Sequence, residues 1–322
     1  MLCMILVSCT GQKTGKENDN NDKIAIEVGE IKFPPQDVLQ LKSYYLSSSV
    51  HVDSIDYLIG YNYRLHSLDC MNLKSKSVTQ IVLPGDGPDA IVRLSGIYAQ
   101  SLDSVWISDE SERAFLIDSV GTIKRMIDLK KYLEDQEQLL INTNYAMFTS
   151  HLFYNASRHS LMFLVKHTPS NTFIVKEVFI DEVGKMATYQ LSSSKVVPDM
   201  SKGYAYINFP NVNFVGENIV YNYPVESSIY MLDIRTNERK YILADSHYTS
   251  NIIEKCTTSG DYATLEKHWL ENSHFYDIMY LPKYKIYARL HADKVDFDEK
   301  KGMEKLINER DLYLMLFDEN ME

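Results

Sequence analysis

The sequence contains few cysteines, since only four occur among 322 residues. A chain of this length that depended on a disulfide framework would need more of them, at closer spacing. Cys3 and Cys9 lie in the first ten residues, which leaves Cys70 and Cys256 for the rest of the chain. We expect these two to pack as small apolar side chains and not to form a disulfide.

The sequence also lacks long apolar runs and an excess of basic residues. No stretch approaches the roughly 20 apolar residues of a membrane-spanning helix. The 33 Lys and Arg residues are outnumbered by 44 Asp and Glu, and the net charge of −11 argues against nucleic acid as a partner. Only 13 Gly and nine Pro occur beside 23 Tyr, a composition that favours the pleated strands of a globular domain.

Catalytic sequence motifs are absent as well. The chain has no G-x-S-x-G elbow, no phosphate-binding glycine loop, no H-E-x-x-H helix and no paired C-x-x-C, and its nine histidines are dispersed. We therefore predict no catalytic residue and no cofactor. A divalent cation is the one ion that the sequence leaves open.

What the sequence does contain is a repeated unit, in which an alternating strand is followed by an Asp, a turn and a second strand. The five copies have their aspartates at Asp69, Asp118, Asp181, Asp233 and Asp318. Repeats of roughly 45 to 60 residues are typical of a β-propeller, in which each blade is one antiparallel sheet packed on its neighbours. The sequence therefore predicts an all-β propeller, and each Asp is expected to form an Asx-type turn.

Three segments depart from the strand pattern. Helical spacing of apolar residues predicts short inserted helices within Asp261–Asn272 and Asp298–Glu309, and Lys130–Leu140 is a third candidate. The chain stops at Glu322, where the last strand of the fifth copy would begin. We therefore expect a propeller that is incomplete at its C-terminus, unless Ile24–Val28 supplies the closing strand.

The first 23 residues have the character of an export signal and a tether. The short apolar stretch that ends at Cys9 resembles a bacterial lipobox, which predicts a lipoprotein signal segment at residues 1–9 with Cys9 as the lipid anchor. Residues 10–23 are polar and predict a flexible tether, and residues 24–322 form the propeller domain. Such a chain would lie in the cell envelope as an outer-membrane lipoprotein facing the periplasm or the cell surface, and it would contact the membrane only through its lipid. The alternative is that the apolar stretch is a first strand.

Part of the sequence resembles an uncharacterised family of Bacteroidetes lipoproteins. The likeness lies in Asp53–Asn62, Leu68–Asp69 and Ile81–Ile91, continues through Asp103–Ile107 and Phe115–Gly121, and fades after about residue 191. The resemblance implies a lipobox and a six-bladed β-propeller related in shape to the TolB and NHL-repeat groups. The family has no established activity, so the resemblance implies no catalytic residues.

Two acidic segments are candidate cation sites. The loop Pro84–Asp89 has glycines that would let a ligand approach the backbone and two Asp residues that suit a hard cation, but a turn between blades is the favoured interpretation. A second cluster lacks the spacing of a calcium loop and is explained more simply as a solvated helix cap. Its members are Asp293, Asp296, Asp298 and Glu299.

The histidines offer two candidate pairs. His268 and His274 are six residues apart, a spacing that does not place both on one helix face, so a metal site there is not favoured. His247 and His291 would meet only through the fold.

Aromatic residues at strand ends could line the mouth of the propeller and stack on a sugar or a peptide. The alternative is that they fill strand positions in the core. The residues concerned are Tyr61, Tyr63, Trp106, Tyr221 and Tyr223.

Two functions follow from these observations. The favoured one is a lipid-anchored, non-catalytic module that binds an envelope protein, a peptide or a glycan across one face of the ring. The alternative is a hydrolase or lyase whose metal or acid/base groups converge in the central channel. Carboxylates or histidines that point into the channel would favour the enzyme, whereas an aromatic face would favour binding.

Overall fold

The computed structural model describes residues 29–34, 44, 46–141, 152–195, 209–256 and 262–322. Blade 1 contains strands β1 (Ser47–Val52), β2 (Ile55–Asn62), β3 (Ser67–Asn72) and β4 (Val78–Val82). Blade 2 contains β5 (Leu94–Ser101), β6 (Ser104–Asp109), β7 (Arg113–Ile117) and β8 (Ile123–Asp128). In blade 3, β9 (Glu137–Leu139) and β10 (Phe153–Asn155) both pair with β11 (Ser160–His167), and β12 (Thr172–Phe179) and β13 (Met186–Gln190) follow.

The last two blades complete the described fold. Blade 4 contains β14 (Asn211–Val215), β15 (Asn218–Asn222), β16 (Ile229–Asp233) and β17 (Arg239–Ile242). Blade 5 contains β18 (His274–Leu281), β19 (Ile286–Ala292) and β20 (Leu312–Phe317). The helical segments are a 3₁₀ helix at Leu129–Tyr132, α1 at Tyr262–Leu270 and α2 at Met303–Asn308.

The described strands form five antiparallel sheets, and the first strands of neighbouring sheets lie side by side, β1 beside β5 and β14 beside β18. This arrangement is an all-β propeller, as the sequence predicted. The expectation of six blades is wrong, because the described residues form five. Each of the five repeats in the sequence supplies the strands of one sheet, and the sixth blade was implied only by the family resemblance. Ile24–Val28, the predicted closing strand, lies outside the described residues.

Apolar side chains from alternate strand positions fill the space between blades. Ile59 and Leu68 of blade 1 pack in one buried cluster with Ile97 and Ile107 of blade 2. Burying each such side chain contributes about 1.5–3 kcal/mol to stability. Cys70 belongs to the same cluster, and burial raises the pKa of its thiol to about 11, as befits a side chain that packs as an apolar residue.

Three aromatic rings meet near the axis. They come from β5, β10 and β14, the innermost strands of blades 2, 3 and 4. The Phe153 ring lies 5.0 Å from the Tyr98 ring and 4.8 Å from the Phe214 ring, measured between centroids. The first contact is edge-to-face and the second is stacked, two geometries that aromatic pairs prefer. The rings therefore join blades 2, 3 and 4 at the centre.

The repeated Asp forms the expected turn in three of the five copies. In these copies one carboxylate oxygen accepts two backbone N–H groups from residues two to four positions further on. They are Asp118, Asp233 and Asp318. Asp69 is instead buried and accepts a hydrogen bond of 2.7 Å from Gln80 Nε2, and Asp181 is exposed and pairs with Arg125 at 2.9 Å. The expectation of an Asx turn is wrong for these two.

Both predicted helical inserts lie on one face of the ring. In a four-stranded blade, the connection to the next blade and the loop between the second and third strands emerge on the same side. α1 lies in the connection from β17 to β18, and α2 lies in the loop between β19 and β20. We call this side the connecting face. Both helices fall inside their predicted ranges.

The prediction of a third helix is wrong over most of its length. Within Lys130–Leu140 only the first residues are helical, as part of the 3₁₀ helix, and β9 follows at Glu137–Leu139. The physical reason is pairing with a distant strand. Leu139 lies opposite Val165 of β11, and this ladder decides the local conformation.

Candidate functional site

A row of stacked rings crosses blade 5 at the end that meets the connecting face. Phe275 of β18 lies opposite His291 of β19, which in turn lies opposite Tyr313 of β20. Directly opposed residues project on the same face of a sheet, so the three rings stack. The ring centroids of Phe275 and His291 are 5.5 Å apart, and those of His291 and Tyr313 are 5.2 Å apart.

Tyr248, in the connection from β17 to α1, adds a fourth ring to the row. Its ring lies 5.0 Å from that of Tyr313 with an interplanar angle of 5°. Its backbone N–H donates to Ser246 Oγ at 3.0 Å, which fixes the base of the side chain. The row runs from the fully buried Phe275 to Tyr248, which is 71% exposed. We call Phe275, His291, Tyr313 and Tyr248 the ring row.

Arg289 closes the inner end of the ring row. Its guanidinium carbon lies 4.9 Å from the centroid of the Phe275 ring. The same group donates to the backbone oxygens of Ser227 at 2.6 Å and Ala244 at 3.0 Å, both in blade 4 and its connection. Burial lowers the pKa of Arg289 to about 9. The ring row is therefore fixed to the neighbouring blade.

His291 also takes part in a hydrogen-bonded pair with a serine. Its Nε2 lies 2.8 Å from Ser246 Oγ. That oxygen also accepts the Tyr248 N–H, so Ser246 links His291 to the base of Tyr248. Burial and the nearby Arg289 lower the pKa of His291 to about 4. Nδ1 is buried and has no hydrogen-bond partner among the described residues.

Two carboxylates flank the outer half of the ring row. The Asp293 N–H donates to the Asp311 carbonyl at 2.9 Å, which extends the ladder of β19 and β20 by one residue pair. Side chains alternate along a strand, so both lie on the same face as His291 and Tyr313, two positions further on. Burial raises the pKa of the Tyr313 phenol, and the Asp311 and Asp293 carboxylates raise it further. No ion pair among the described residues includes either carboxylate.

In neither candidate histidine pair do the two side chains share a hydrogen-bond partner among the described residues. His274 Nδ1 accepts the Trp269 Nε1–H at 3.1 Å, and burial lowers the pKa of His274 to about 3. His268 Nε2 lies 2.7 Å from the Glu254 carbonyl oxygen. His291 is buried, whereas His247 follows Ser246 with an exposed side chain.

Four of the five aromatic residues that could have lined the propeller mouth are buried in the core. They are Tyr61, Trp106, Tyr221 and Tyr223. Tyr63 alone of the five is exposed, at 57%, in the loop between β2 and β3. The mouth interpretation is wrong for the other four, because their strand positions face a neighbouring blade. The exposed tyrosine that the structure singles out, Tyr248, lies in a connection whose local sequence carries no strand signal.

The loop Pro84–Asp89 is a closed turn. The Ile91 N–H donates to the Pro84 carbonyl at 2.8 Å, and Gly87 adopts a left-handed φ of 91° that favours glycine. Asp86 and Asp89 are both exposed. The structure therefore agrees with the favoured interpretation of this loop.

In the acidic cluster before α2, Asp298 Oδ1 accepts the Lys300 N–H at 3.0 Å, as in a solvated turn. Within the described residues, no three His, Cys, Asp or Glu side chains are grouped so that they could hold a metal ion. Cys9, the signal segment 1–9 and the tether 10–23 lie outside the described residues. None of the described helices is both long enough and apolar enough to cross a membrane.

Comparison with known proteins gives a family and a fold. A family model described as "Domain of unknown function (DUF4221)" matches residues 17–322. A crystal structure of a DUF4221 member from Bacteroides vulgatus superposes with a TM-score of 0.70 at 14% identity, covering 90% of this chain and 82% of that chain. This likeness shows the fold.

More distant structures carry no argument about this chain. Hydrazine synthase of Kuenenia stuttgartiensis gives a TM-score of 0.42 at 12% identity, over 82% of this chain and 69% of that chain. BamB of Moraxella catarrhalis gives 0.32 at 9% identity, over 60% and 50%. No curated protein is detectably similar in sequence.

Proposed function

The chain belongs to the DUF4221 family, whose description records an unknown function, and from the geometry of its own surface we propose that it is a non-catalytic binding module. Its ligand is a protein, a peptide or a glycan, held at the outer end of the ring row. One observation carries the proposal, which is that Tyr248 is exposed yet fixed by a parallel stack behind its ring. A tyrosine that is already ordered loses little entropy when a ligand covers it, so such residues make efficient contacts.

The inner strands give the enzyme alternative less support. On the described inner strands, Glu137 forms an ion pair of 2.5 Å with the buried Lys176, and His51 pairs with Asp56 at 2.6 Å. His274 is buried, and its Nδ1 accepts the indole N–H of Trp269. These groups have partners within their own surroundings, Asp277 of β18 is the one inner-strand carboxylate in the described residues with no ion pair or hydrogen bond, and aromatic rings meet near the axis. The balance therefore favours binding over a hydrolase or lyase with a channel site.

Replacing Tyr248 tests the proposed function. With the full chain immobilised, a panel of peptides and glycans is screened by biolayer interferometry. We expect the Tyr248→Ala variant to bind the ligand that is found about two- to tenfold more weakly, because one aromatic contact contributes about 0.5–1.5 kcal/mol. Tyr63→Ala is the matched control, since it removes an exposed tyrosine outside the ring row.

The Tyr248→Phe variant keeps the ring and should bind as the unaltered chain does. Thermal unfolding of all three variants checks that their folds are intact. A ligand whose affinity is the same in the unaltered chain and in Tyr248→Ala would contradict the proposed site.

We also propose that the module is held in the cell envelope, as an outer-membrane lipoprotein, by a lipid on Cys9. The support is the sequence alone, in which an apolar stretch precedes Cys9 and polar residues follow it. Expression in a bacterial host with labelled fatty acid should label the protein, and Cys9→Ser should abolish the label. Label that persists in Cys9→Ser would show that this cysteine is not the anchor.

A further inference from the structure

We infer that Ile24–Val28 forms the fourth strand of blade 5 by pairing with the outer edge of β20, and that it thereby links the last blade to the first. These five residues, here called the closing segment, lie outside the described part of the structure. The pairing does not depend on the proposed function. It is supported by the strand edge, the turn that follows it and the connection that leads into blade 1.

Blade 5 differs from the other blades in its outermost strand. It has three described strands, whereas each of the other four blades has a further strand outside its third one. In order, β20 corresponds to β3, β7, β12 and β16, which are paired on both edges. Among the described residues, β20 pairs with β19 alone. Its outer edge therefore lacks, within this part of the chain, the partner that its four counterparts have.

Three residues of β20 direct their backbone N–H and C=O groups to this outer edge. The Asp293 N–H donates to the Asp311 carbonyl at 2.9 Å, and in an antiparallel pair such bonded positions recur at every second residue. Within β20 the odd-numbered residues therefore bond to β19, and the even-numbered residues face outward. The outward-facing residues are Leu312, Leu314 and Leu316.

The side chains of β20 indicate an edge that is covered in the folded protein. The strand reads Leu-Tyr-Leu-Met-Leu-Phe and contains no charged residue. Edge strands that stay open usually carry a charge, a proline or a bulge, because these features prevent another chain from pairing with them. β20 has no proline and pairs with β19 without a register shift. An open apolar edge of this length would promote aggregation.

The turn after β20 shows where a fourth strand begins and in which direction it runs. In blade 4 the Asp233 N–H donates to the Glu238 carbonyl at 3.0 Å, and β17 starts at the next residue. The Asp318 N–H donates in the same way to the Glu322 carbonyl at 3.2 Å. A strand on the outer edge of β20 therefore starts beside this turn and runs antiparallel to β20, toward the connecting face.

The closing segment has the pattern that such a strand requires. Ile24, Ile26 and Val28 alternate with other residues, as in a strand that packs one face on a core. Its five residues match the four to six residues of β4, β8, β13 and β17, the described fourth strands. The DUF4221 match begins at residue 17, so the segment belongs to the matched domain.

The residues between the closing segment and β1 fit the connection that follows each fourth strand. Residues 29–46 are intermediate in length between the connections 83–93 and 243–273. Their end is fixed on blade 1, where the Tyr44 hydroxyl donates to Asp69 at 2.6 Å. Among the described residues, no buried cluster contains side chains of both blade 5 and blade 1. The closing segment would therefore supply the link that completes the ring.

Amide hydrogen exchange of the full chain, followed by NMR, tests the pairing residue by residue. We expect the three outward-facing amides to be about as well protected as those of Tyr313, Met315 and Phe317, which bond to β19. The Ile26→Pro variant interrupts the closing segment, so its outward-facing amides should exchange at least about tenfold faster while the other three keep their protection. Asn20→Pro, in the polar residues before the segment, is the matched control and should change neither set.

A photo-crosslink gives a second measurement that leaves the backbone of the closing segment intact. The full chain carries p-benzoylphenylalanine in place of Glu27 and is irradiated and digested with trypsin. We expect a crosslink between the tryptic peptides 24–32 and 311–322 within one molecule. The same probe in place of Asn20 should give no crosslink to peptide 311–322.

The other outcomes overturn the inference. Fast exchange of the outward-facing amides in the unaltered chain would show that the edge is open to water. Protection that survives Ile26→Pro, with no crosslink from position 27, would assign the edge to another segment. A crosslink found only between two molecules would assign it to a second copy of the chain. If Ile26→Pro loses protection in both sets of amides, the variant has unfolded and the crosslink decides.

Discussion

At the scale of single residues, two buried histidines make the stability of the fold sensitive to acid. His274 and His291 are both about 1% exposed, and burial lowers their pKa values to about 3 and about 4. In the unfolded chain a histidine has a pKa of about 6.5. As the pH falls below that value, the unfolded chain binds protons that the folded protein does not bind. The free energy of unfolding therefore falls with pH, down to the pKa values of the folded state.

We predict that this free energy falls as the pH is lowered from about 6.5 toward 5, with a slope that approaches about 1.4 kcal/mol per pH unit for each histidine. The His274→Asn variant keeps an acceptor for the Trp269 N–H, and its asparagine does not titrate. The slope of its unfolding free energy against pH should therefore lack the contribution of one histidine. Urea unfolding at several pH values measures both slopes. Parallel slopes for the two proteins would rule out His274 as a source.

Single residues also show where prediction from sequence reaches its limit. Asp118 and Asp233 were assigned to turns correctly, because an Asx turn depends only on the next few residues. Tyr248 and Tyr313 were not singled out. They are 65 positions apart in the sequence, and they meet because the register of β18, β19 and β20 brings three rings into line and a connection adds the fourth. The register of strands that are distant in sequence cannot be predicted from the residues next to each tyrosine.

At the scale of secondary-structure elements, Arg310 ties the two helical inserts together. It follows α2 closely, and it donates to carbonyls of Trp269, in the last turn of α1, and of Asn272 just beyond. Carbonyls at the C-terminal end of a helix favour a nearby cation. Burial lowers the pKa of Arg310, but the three backbone acceptors compensate for the lost water.

We predict that Arg310→Met lowers the free energy of unfolding by roughly 2–4 kcal/mol, because buried carbonyls lose a charged donor while the apolar stem is kept. Urea unfolding measures the loss, and hydrogen exchange of α1 amides should rise. Arg235→Met is the control, since Arg235 lies in an exposed turn and its replacement should cost less than about 0.5 kcal/mol. Equal losses in the two variants would contradict the role of Arg310.

The elements themselves were predictable where their pattern was local. α1 and α2 were predicted from helical spacing, and the strand pairs of the five repeats were predicted from alternation. The strand β9 was missed, because three residues carry too little pattern and their conformation is set by pairing with β11.

At the scale of the whole molecule, the repeat in the sequence predicted the architecture and also contained the correct number of blades. Five Asp-containing hairpins correspond to five sheets among the described residues. The sixth blade was expected only because the resembling family is six-bladed, and that number was taken from other chains. A count made on the repeats of the chain itself was the better guide, because each copy has to form its own sheet.

The position of the two tryptophans has a consequence for how the molecule can be observed. Trp106 is buried between blades 2 and 3 and stacks on Tyr154, whereas Trp269 lies under Arg310 in the inserted helix α1. The fluorescence of each indole therefore reports on a different part of the propeller. Replacing either one by phenylalanine leaves a single tryptophan to report. Comparing the two unfolding curves would show whether the inserts and the seam between blades 2 and 3 come apart in one transition or in sequence.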